Sequence, residues 1–197
     1  GFQDNIISFD ANSLYPSTMI TLNLSPETKF GEITFTDDDT VYVKSINNED
    51  FKFSKPNFVK WIKKNKIAVT RAKKLFFQEP KGIFPTISEH FYKIRREKKD
   101  LMIELKKELT DLKNKIADVS DAEEKERISK RIKELPTKIN QAKIYQLTLK
   151  ILINRIYGYF GNKHSQMGDG DIARSITLTG QDVIKQSNVI LRNYIKE

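Results

Sequence analysis

One aspartate near the start of the chain has the neighbours that a phosphoryl-transfer site requires. Asp10 follows an apolar pair, Ile6 and Ile7, that favours a strand over residues 5–9, and it precedes the turn-forming sequence SLYPS at residues 13–17. A carboxylate between a strand end and a helix start can hold a divalent cation while backbone N–H groups face a phosphate. The alternative interpretation is that Asp10 only caps the following helix.

A second group of residues combines a cation, an amide and an aromatic ring. Lys150, Asn154 and Tyr157 are spaced four and three apart, so they share one face of a helix, and Gly158 follows them. The lysine can neutralise a phosphate and the tyrosine ring can pack near a base. This spacing suits an incoming nucleotide.

A third element is the basic run KIRREKK at residues 93–99. Arg95 and Lys99 lie four residues apart, and paired cations at that spacing can grip a triphosphate. Such a run is also what an ordinary solvated helix face contains, so the run alone leaves both interpretations open.

The composition indicates a polyanionic partner. The net charge is +9 and the sequence pI is about 9.5. No apolar run approaches the roughly 20 residues that span a bilayer, so nucleic acid is favoured over a membrane. The chain has no cysteine and two histidines, which leaves carboxylates as metal ligands and favours Mg²⁺ or Mn²⁺. Its start shows neither a signal peptide nor an initiator methionine, which we interpret as an excised or processed end.

The elements that must position these residues differ along the chain. The first third predicts a mixed α/β region, with Pro16 in the first turn of a short helix and a turn at residues 80–82. Its predicted strands are residues 5–9, 32–35, 41–44, 51–53 and 75–77, and its predicted helices are residues 14–22 and 58–65.

The middle third predicts an antiparallel helical hairpin. Leucine and isoleucine recur at alternating spacings of four and three on both sides of residue 120, and no proline or glycine interrupts residues 86–117. Ser120 and Glu123 predict a capping box at the second arm, and Pro136 should kink or break that arm. We interpret both apolar stripes, including Tyr145, as packing. The last third predicts a glycine-rich turn at residues 157–162 and a helix from about 172 to 195.

Together these motifs resemble family B DNA polymerases. Residues 10–17 match the motif A pattern DxxSLYPS, and residues 150–158 match the motif B pattern KxxxNxxYG, in the expected order. GIFPT at residues 82–86 looks like the start of the fingers. NLSPET at residues 23–28 is similar to the tailed-phage branch, and TLTGQ at residues 177–181 looks like its palm helix.

The resemblance implies an α+β fold that combines a partial polymerase palm, with a short mixed or antiparallel sheet, and a long antiparallel helical hairpin. Residues 1–82 would be palm, residues 83–158 the fingers, and residues 159–197 a palm helix region. The implied reaction is the addition of deoxynucleotides to a primer 3′ end by two-metal phosphoryl transfer. Primer-template DNA and dNTPs are the implied partners, with no membrane, and the implied location is the cytoplasm, that of the host if the chain is phage-encoded.

The resemblance also assigns roles around motif A. Asp10 would bind both magnesium ions, and the Ala11 carbonyl would complete the ligand set of one. Ser13 and the Leu14 backbone N–H would contact the triphosphate. Tyr15 would lie under the deoxyribose and exclude a 2′-hydroxyl.

The fingers would supply the remaining contacts. Arg95, Lys99 and Lys150 would bind the β- and γ-phosphates when the hairpin closes. Asn154 and Tyr157 would line the nascent base-pair pocket, and Gly158 would contact the DNA.

The sequence departs from the family at two points. Arg155 stands where the family has a small residue, and it could contact phosphate or template, or point outward. No second metal aspartate in an Asp-x-Asp hairpin (motif C) follows motif B, and we interpret Asp169 and Asp171 as part of a turn rather than as that site. The chain is therefore expected to be inactive alone, either as an excised part of a polymerase or as one half of a split polymerase that pairs with a piece carrying motif C. The alternatives are a non-catalytic basic nucleic-acid-binding module and, last, a coiled-coil adaptor.

Overall fold

The computed structural model describes residues 13–162 and 164–196 of the chain. These residues form two compact units. The first unit contains the described residues up to Ile87 and from Ile156 onward, and the second contains Ser88–Arg155. The predicted strand over residues 5–9 lies outside the described residues. The division into palm and fingers at residues 82 and 158 stays a prediction.

The described elements alternate between short strands and helices before three long helices. In chain order they are α1 (Leu14–Thr21), a 3₁₀ turn (Pro26–Thr28), β1 (Lys29–Thr36), β2 (Thr40–Ser45), β3 (Asp50–Ser54), α2 (Lys55–Lys64), β4 (Ile67–Val69), β5 (Lys74–Phe77), α3 (Ile83–Lys115), α4 (Ala122–Gly161) and α5 (Gly170–Lys196). The predicted α+β class, with a short antiparallel sheet and a long helical hairpin, is confirmed.

The sheet of the first unit has five antiparallel strands in the order β3-β2-β1-β5-β4. At the centre of the sheet, Gly31 of β1 faces Ser45 of β2, and a Cβ at Gly31 would overlap the Lys44 carbonyl oxygen. Helix α2 covers one face because its aromatic residues meet those of the strands. That apolar cluster contains Phe30, Phe51, Phe53, Phe58, Trp61 and Leu75.

A second apolar core joins helix α1, the end of α4 and the start of α5 to strand β5. Phe160 is 1% exposed, and its ring centroid lies 4.7 Å from that of Phe84. The fully buried members of this core are Met19, Leu24, Phe76, Phe160, Ile172 and Ile176. This core holds the motif A helix against the end of α4, which carries motif B, and against the start of α5.

The second unit is an antiparallel pair of helices. Arg131 of α4 donates two hydrogen bonds, of 2.6 and 2.9 Å, to the Glu108 carboxylate of α3. Nearer the connection, Lys115 lies 2.6 Å from Glu124. One residue in every seven along α4 is buried against the partner arm, namely Ile128, Leu135, Ala142 and Leu149.

One prediction about the second arm is wrong, and of the predicted kink or break at Pro136 the break does not occur. The N-cap is Asp121 and not Ser120, because helix α4 begins at Ala122 and the Asp121 carboxylate accepts a 3.1 Å hydrogen bond from the Glu124 amide. Pro136 does not break α4, although it removes one backbone donor. The heptad burial continues through Leu135 and Ala142 on either side of Pro136, and this packing maintains the helix.

The structure corrects two further local predictions and adds one strand. Residues 157–162 do not form a turn, because α4 continues to Gly161 and carries Phe160 into the core. Strand β4 was not predicted, since Ile67–Val69 is too short to show alternation. Tyr145 also departs from its predicted packing role, because its side chain is 51% exposed.

Candidate functional site

Helix α1 is held between two residues in the left-handed backbone conformation. Ser13 precedes it with φ 55°, and Asn23 follows it with φ 52°. The left-handed conformation costs energy for residues other than glycine, and it persists only where surrounding contacts hold the residue in it. The site therefore rests on a short helix, α1, whose two ends are set by specific turns.

The two aromatic residues of motifs A and B meet directly. The Tyr15 ring of α1 lies 4.7 Å, centroid to centroid, from the Tyr157 ring of α4, at an interplanar angle of 39°. Tyr15 is 37% exposed and Tyr157 is half-buried. Motif A and motif B thus share one aromatic surface, although 141 residues separate these tyrosines in the printed sequence.

The Tyr157 hydroxyl is oriented by helix α5. It lies 2.9 Å from the Thr177 hydroxyl, which in turn lies 2.9 Å from the Ala173 carbonyl. Because a carbonyl can only accept, Thr177 donates its hydrogen to Ala173, and Tyr157 must therefore donate to Thr177. This chain of hydrogen bonds fixes the direction of the ring.

Gly180 allows α1 and α5 to approach closely. A Cβ on Gly180 would lie 3.2 Å from Cε1 of Tyr15 and 3.3 Å from Cδ2 of Leu14. Thr177 and Gly180 are three residues apart and so lie on one face of α5. That face supports both tyrosines.

A buried asparagine ties the end of α1 to the start of α3. The Asn23 amide donates to the Phe77 carbonyl at 2.7 Å and to the Pro80 carbonyl at 3.0 Å, and its oxygen accepts from the Gly82 amide at 2.8 Å. Asn23 is 2% exposed. A side chain on Gly82 would collide with Ser25, since the added Cβ would lie 2.6 Å from Ser25 Cβ.

Glu27 adds a second link to α3. Its carboxylate accepts a 2.6 Å hydrogen bond from the Ile83 amide and a 2.7 Å bond from the Ser25 hydroxyl. Partial burial would raise the pKa of Glu27, but these hydrogen bonds outweigh it and hold the pKa below its ordinary value. Glu27 therefore caps the first turn of α3 as a carboxylate.

The predicted site residues divide between described and undescribed positions. Asp10 and Ala11 lie outside the described residues. Ser13, Leu14 and Tyr15 belong to the first unit together with Tyr157.

The predicted phosphate-binding residues belong to the second unit. Lys99, Lys150 and Asn154 are exposed, and Arg95 is half-buried. Of the predicted site residues, Tyr15 and Tyr157 are a pair that the structure brings into ring contact. The roles assigned to all of them, including Gly158, stay predictions.

The two aspartates after motif B have lysine partners. Lys29 lies 3.2 Å from Asp169 and 2.7 Å from Asp171, and Lys74 lies 3.1 Å from Asp171 and also pairs with Glu32. Asp169 additionally accepts hydrogen bonds of 2.9 and 3.2 Å from the first amides of α5. These contacts make Asp169 the cap of α5.

Charge pairing shifts the pKa values of this cluster. Burial would raise the pKa of Asp171, but hydrogen bonds from Lys29 and Lys74 outweigh burial and lower it. Burial would likewise lower the pKa of Lys74, but hydrogen bonds to Glu32 and Asp171 raise it. The cluster is therefore held together by charges on both sides at neutral pH.

Within residues 13–162 and 164–196, no three or more acidic, histidine or cysteine side chains come together in a group that could hold a metal ion. The metal ligands named above, Asp10 and Ala11, precede that range. A divalent-cation site on this chain therefore rests on its sequence motif.

The sequence did not identify Asn23, Thr177 and Gly180 as positioning residues. Asn23 and Thr177 lie inside segments with a recognisable pattern. However, the partners of Asn23 are 54 or more residues away in the sequence, and Tyr157, the partner of Thr177, is 20 residues away. The spacing of Thr177 and Gly180 along one helix face was a usable signal. The role of Asn23 required the tertiary structure.

None of the helices in the described part of the chain is both long enough and apolar enough to cross a membrane.

A protein family and a viral protein match the chain over its whole length, and a solved structure matches most of it. A family model described as DNA polymerase family B matches residues 1–125 and 120–197. A DNA polymerase of Fowlpox virus (strain NVSL) is 24% identical over 197 residues, which are 100% of this chain and 17% of that protein. A solved family B DNA polymerase from Pyrobaculum calidifontis has a TM-score of 0.46 and 17% identity, and the match covers 91% of this chain and 17% of that one.

Proposed function

Because the chain belongs to DNA polymerase family B, we propose that it forms the part of a DNA-directed DNA polymerase that holds the incoming deoxynucleotide. The chain spans 17% of the length of the viral relative that it matches. The activity is therefore proposed for a larger assembly in which this chain supplies motifs A and B.

One observation carries the proposal. Tyr15 of motif A and Tyr157 of motif B form one aromatic surface, with ring centroids 4.7 Å apart. A nucleotide site needs a flat apolar surface beside its sugar and base. The hydrogen bond from Tyr157 to Thr177 and the close packing of Gly180 on Tyr15 support a fixed orientation of both rings.

In this proposal each ring has a separate task. Tyr15 lies under the deoxyribose and excludes a 2′-hydroxyl by its bulk. Tyr157 and Asn154 line the nascent base pair, and Gly158 meets the DNA. Ser13 and the Leu14 amide contact the triphosphate, which suits the first turn of a helix because amides there have no intrahelical partner.

The cations of the hairpin neutralise the phosphates. Lys99 and Lys150 are exposed on α3 and α4, where long flexible side chains can reach an anion. Arg95 completes the set on α3, and Arg155 is exposed on α4. The pairing of Arg95 and Lys99 at a spacing of four places both on one side of α3.

The proposed reaction is attack of a primer 3′-hydroxyl oxygen on the α-phosphate of a dNTP. A new P–O bond forms, the bond to pyrophosphate breaks, and the hydroxyl proton leaves to solvent. Divalent cations held by the Asp10 carboxylate and the Ala11 carbonyl would supply charge neutralisation and activation of the hydroxyl. Magnesium suits such oxygen ligands, and manganese would substitute.

One carboxylate cannot clamp two cations, so the proposal includes a second polymerase piece. That piece, in the same polypeptide or in a separate one, would carry the second metal aspartate in an Asp-x-Asp hairpin. The isolated chain should then bind nucleotide without extending a primer.

Equilibrium binding of a fluorescent dNTP in MgCl₂ tests the nucleotide site. Lys150→Ala should weaken binding about tenfold or more, since a hydrogen bond to a charged group contributes about 1.5–3 kcal/mol. Lys133→Ala is the matched control, because Lys133 is another exposed lysine of α4 outside motif B. Tyr15→Ala should narrow the preference for dNTP over the corresponding rNTP.

The outcome separates this proposal from its rival. A chain that binds DNA in a salt-sensitive way, but binds no dNTP or binds it equally well after Lys150→Ala, would be a non-catalytic nucleic-acid-binding module. Primer extension tests the need for a second piece. Magnesium-dependent synthesis by the chain alone that Asp10→Ala abolishes would overturn the claim of incompleteness.

A further inference from the structure

The helical hairpin carries a groove that the proposed nucleotide site does not use. Two adjoining cavities, of about 460 and 480 Å³, lie on the second unit. They share Gln141 and Tyr145 of α4 as lining residues. We call these two adjoining cavities together the hairpin groove.

The first cavity of the hairpin groove combines cations with apolar side chains. Its lining includes Lys98, Arg131 and Lys138 and no carboxylate, and its apolar part is formed by Leu101, Leu105 and Ala142. Arg131 is committed to Glu108 through two hydrogen bonds. Lys98 and Lys138 therefore provide the positive charge that faces this cavity, which suits an anion such as phosphate.

The second cavity is uncharged and largely apolar. Apart from the two shared residues, its lining contains Ile144, Thr148, Leu149 and Leu152. Ile144 is 57% exposed and Leu152 is 39% exposed. Exposed apolar side chains beside a cationic cavity suit a ligand that has a charged group and a flat apolar group.

Tyr145 lies at the junction of the two cavities. Its side chain is 51% exposed, and the Lys98 ammonium lies 5.4 Å from its ring centroid. At a packing position of the stripe, a ring this exposed contributes little to the core. An exposed ring next to lysines is how proteins bind single-stranded nucleic acid, with a base on the ring and phosphates at the cations.

The hairpin groove lies on a different side of α4 from motif B. Successive helical residues turn by roughly 100°, so Lys150 lies roughly 140° and Asn154 roughly 180° around α4 from Tyr145. Variants in the groove can therefore be separated from variants at the proposed nucleotide site.

We propose that the hairpin groove binds single-stranded nucleic acid. The phosphates of the strand contact Lys98 and Lys138, and a base stacks on Tyr145 against the apolar cavity. The proposal rests on the proposed function only in that the strand bound in a working polymerase would be unpaired template DNA.

Fluorescence anisotropy of a labelled dT₂₀ strand with the full chain tests this assignment. Tyr145→Leu should weaken binding about 5- to 150-fold, as expected for the loss of one stacked base. Lys138→Gln should lower the slope of log affinity against log salt by about 0.7, because one phosphate contact is lost. Lys133→Gln, which removes an exposed lysine outside the groove, should leave the slope unchanged.

Three results would overturn the proposal. One is equal binding of dT₂₀ by wild type, Tyr145→Leu and Lys138→Gln, with circular dichroism showing that the variants fold. The second is that Tyr145→Leu weakens binding of a duplex of the same length as much as it weakens binding of dT₂₀, since a paired base cannot stack on the ring. The third is equally tight binding of polyglutamate, which would mean that charge alone is recognised.

The fluorescent-dNTP titration keeps this test apart from the proposed function. Groove variants should retain wild-type dNTP affinity. Failure of dNTP binding in the wild type would refute the nucleotide site while leaving the strand-binding result intact. Failure of dT₂₀ binding would refute the strand site while leaving the dNTP-binding result intact.

Discussion

Replacement of Asn23 offers the sharpest test of how the motif A helix is held. The side chain makes three hydrogen bonds to backbone groups of residues 77–82 and is 2% exposed. The Phe77 and Pro80 carbonyls belong to exposed residues, so water can replace the lost amide, and each bond contributes about 0.5–1.5 kcal/mol. The Gly82 amide is in a buried residue, and leaving it without an acceptor costs about 1–3 kcal/mol.

The backbone conformation allows these hydrogen bonds to be separated from strain. Asn23→Gly removes the side chain but tolerates φ 52°, so it should lower the free energy of unfolding by about 2–6 kcal/mol. Asn23→Ala also removes these hydrogen bonds but, unlike the glycine variant, has a Cβ in the left-handed region, so it should cost about 1 kcal/mol more than Asn23→Gly. Asn23→Asp keeps the acceptor for Gly82 but places an oxygen against two carbonyls, so it should also destabilise the fold.

Urea unfolding followed by the fluorescence of Trp61 measures these differences. Trp61 is the single tryptophan of the chain and lies in the first unit, together with Asn23. A loss below about 1 kcal/mol for Asn23→Gly, with an unchanged denaturant slope, would refute the reasoning. So would an alanine variant that is more stable than the glycine variant.

Three further predictions concern stability. Pro136→Ala should raise the thermal midpoint of the hairpin, because it restores a backbone donor within α4 and a proline inside a helix costs up to about 3 kcal/mol; a circular dichroism melt with no rise would contradict this. Asp171 has a lowered pKa in the fold, so its contribution is complete above the unfolded pKa of about 3.9 and is lost as pH falls through the folded pKa. Asp171→Asn should therefore be less stable than wild type in urea at pH 7 and approach it as the pH falls through the lowered pKa of Asp171, whereas a difference that grows on acidification would be inconsistent. Gly31→Ala should cost about 2 kcal/mol or more in urea, since its Cβ would overlap the Lys44 carbonyl oxygen, and a neutral effect would show that the two strands can separate without cost.

The helical hairpin could be predicted because its signal is local. Apolar spacings of four and three recur in both arms, and burial at Ile128, Leu135, Ala142 and Leu149 follows the same period. Pro136 and the segment after Tyr157 were misjudged for one reason: single-residue preferences indicated breaks. The packing of Leu135 and of Phe160 outweighs those preferences.

The roles of the candidate site residues stay predictions. Their motifs place Tyr15 and Tyr157 at a nucleotide, and the structure shows that the two rings are in contact. Asn23 and Thr177 were not singled out, because a hydrogen bond across 54 or 20 residues leaves no periodic trace in the sequence. Tyr145 shows the opposite failure, since its spacing matched packing while its side chain is half exposed.

The boundaries between the two units fall inside continuous helices. The chain crosses from one unit to the other after Ile87, within α3, and after Arg155, within α4. A protease needs an extended segment of chain, and a helix supplies one only after its hydrogen bonds open. Brief digestion should therefore leave both crossings intact and cut first near residues 116–121, the exposed connection between the arms. After such a cut, each arm of the hairpin would still be joined to the first unit through its own helix, α3 or α4. The nicked protein would therefore run as two pieces on a denaturing gel yet migrate as one molecule in solution.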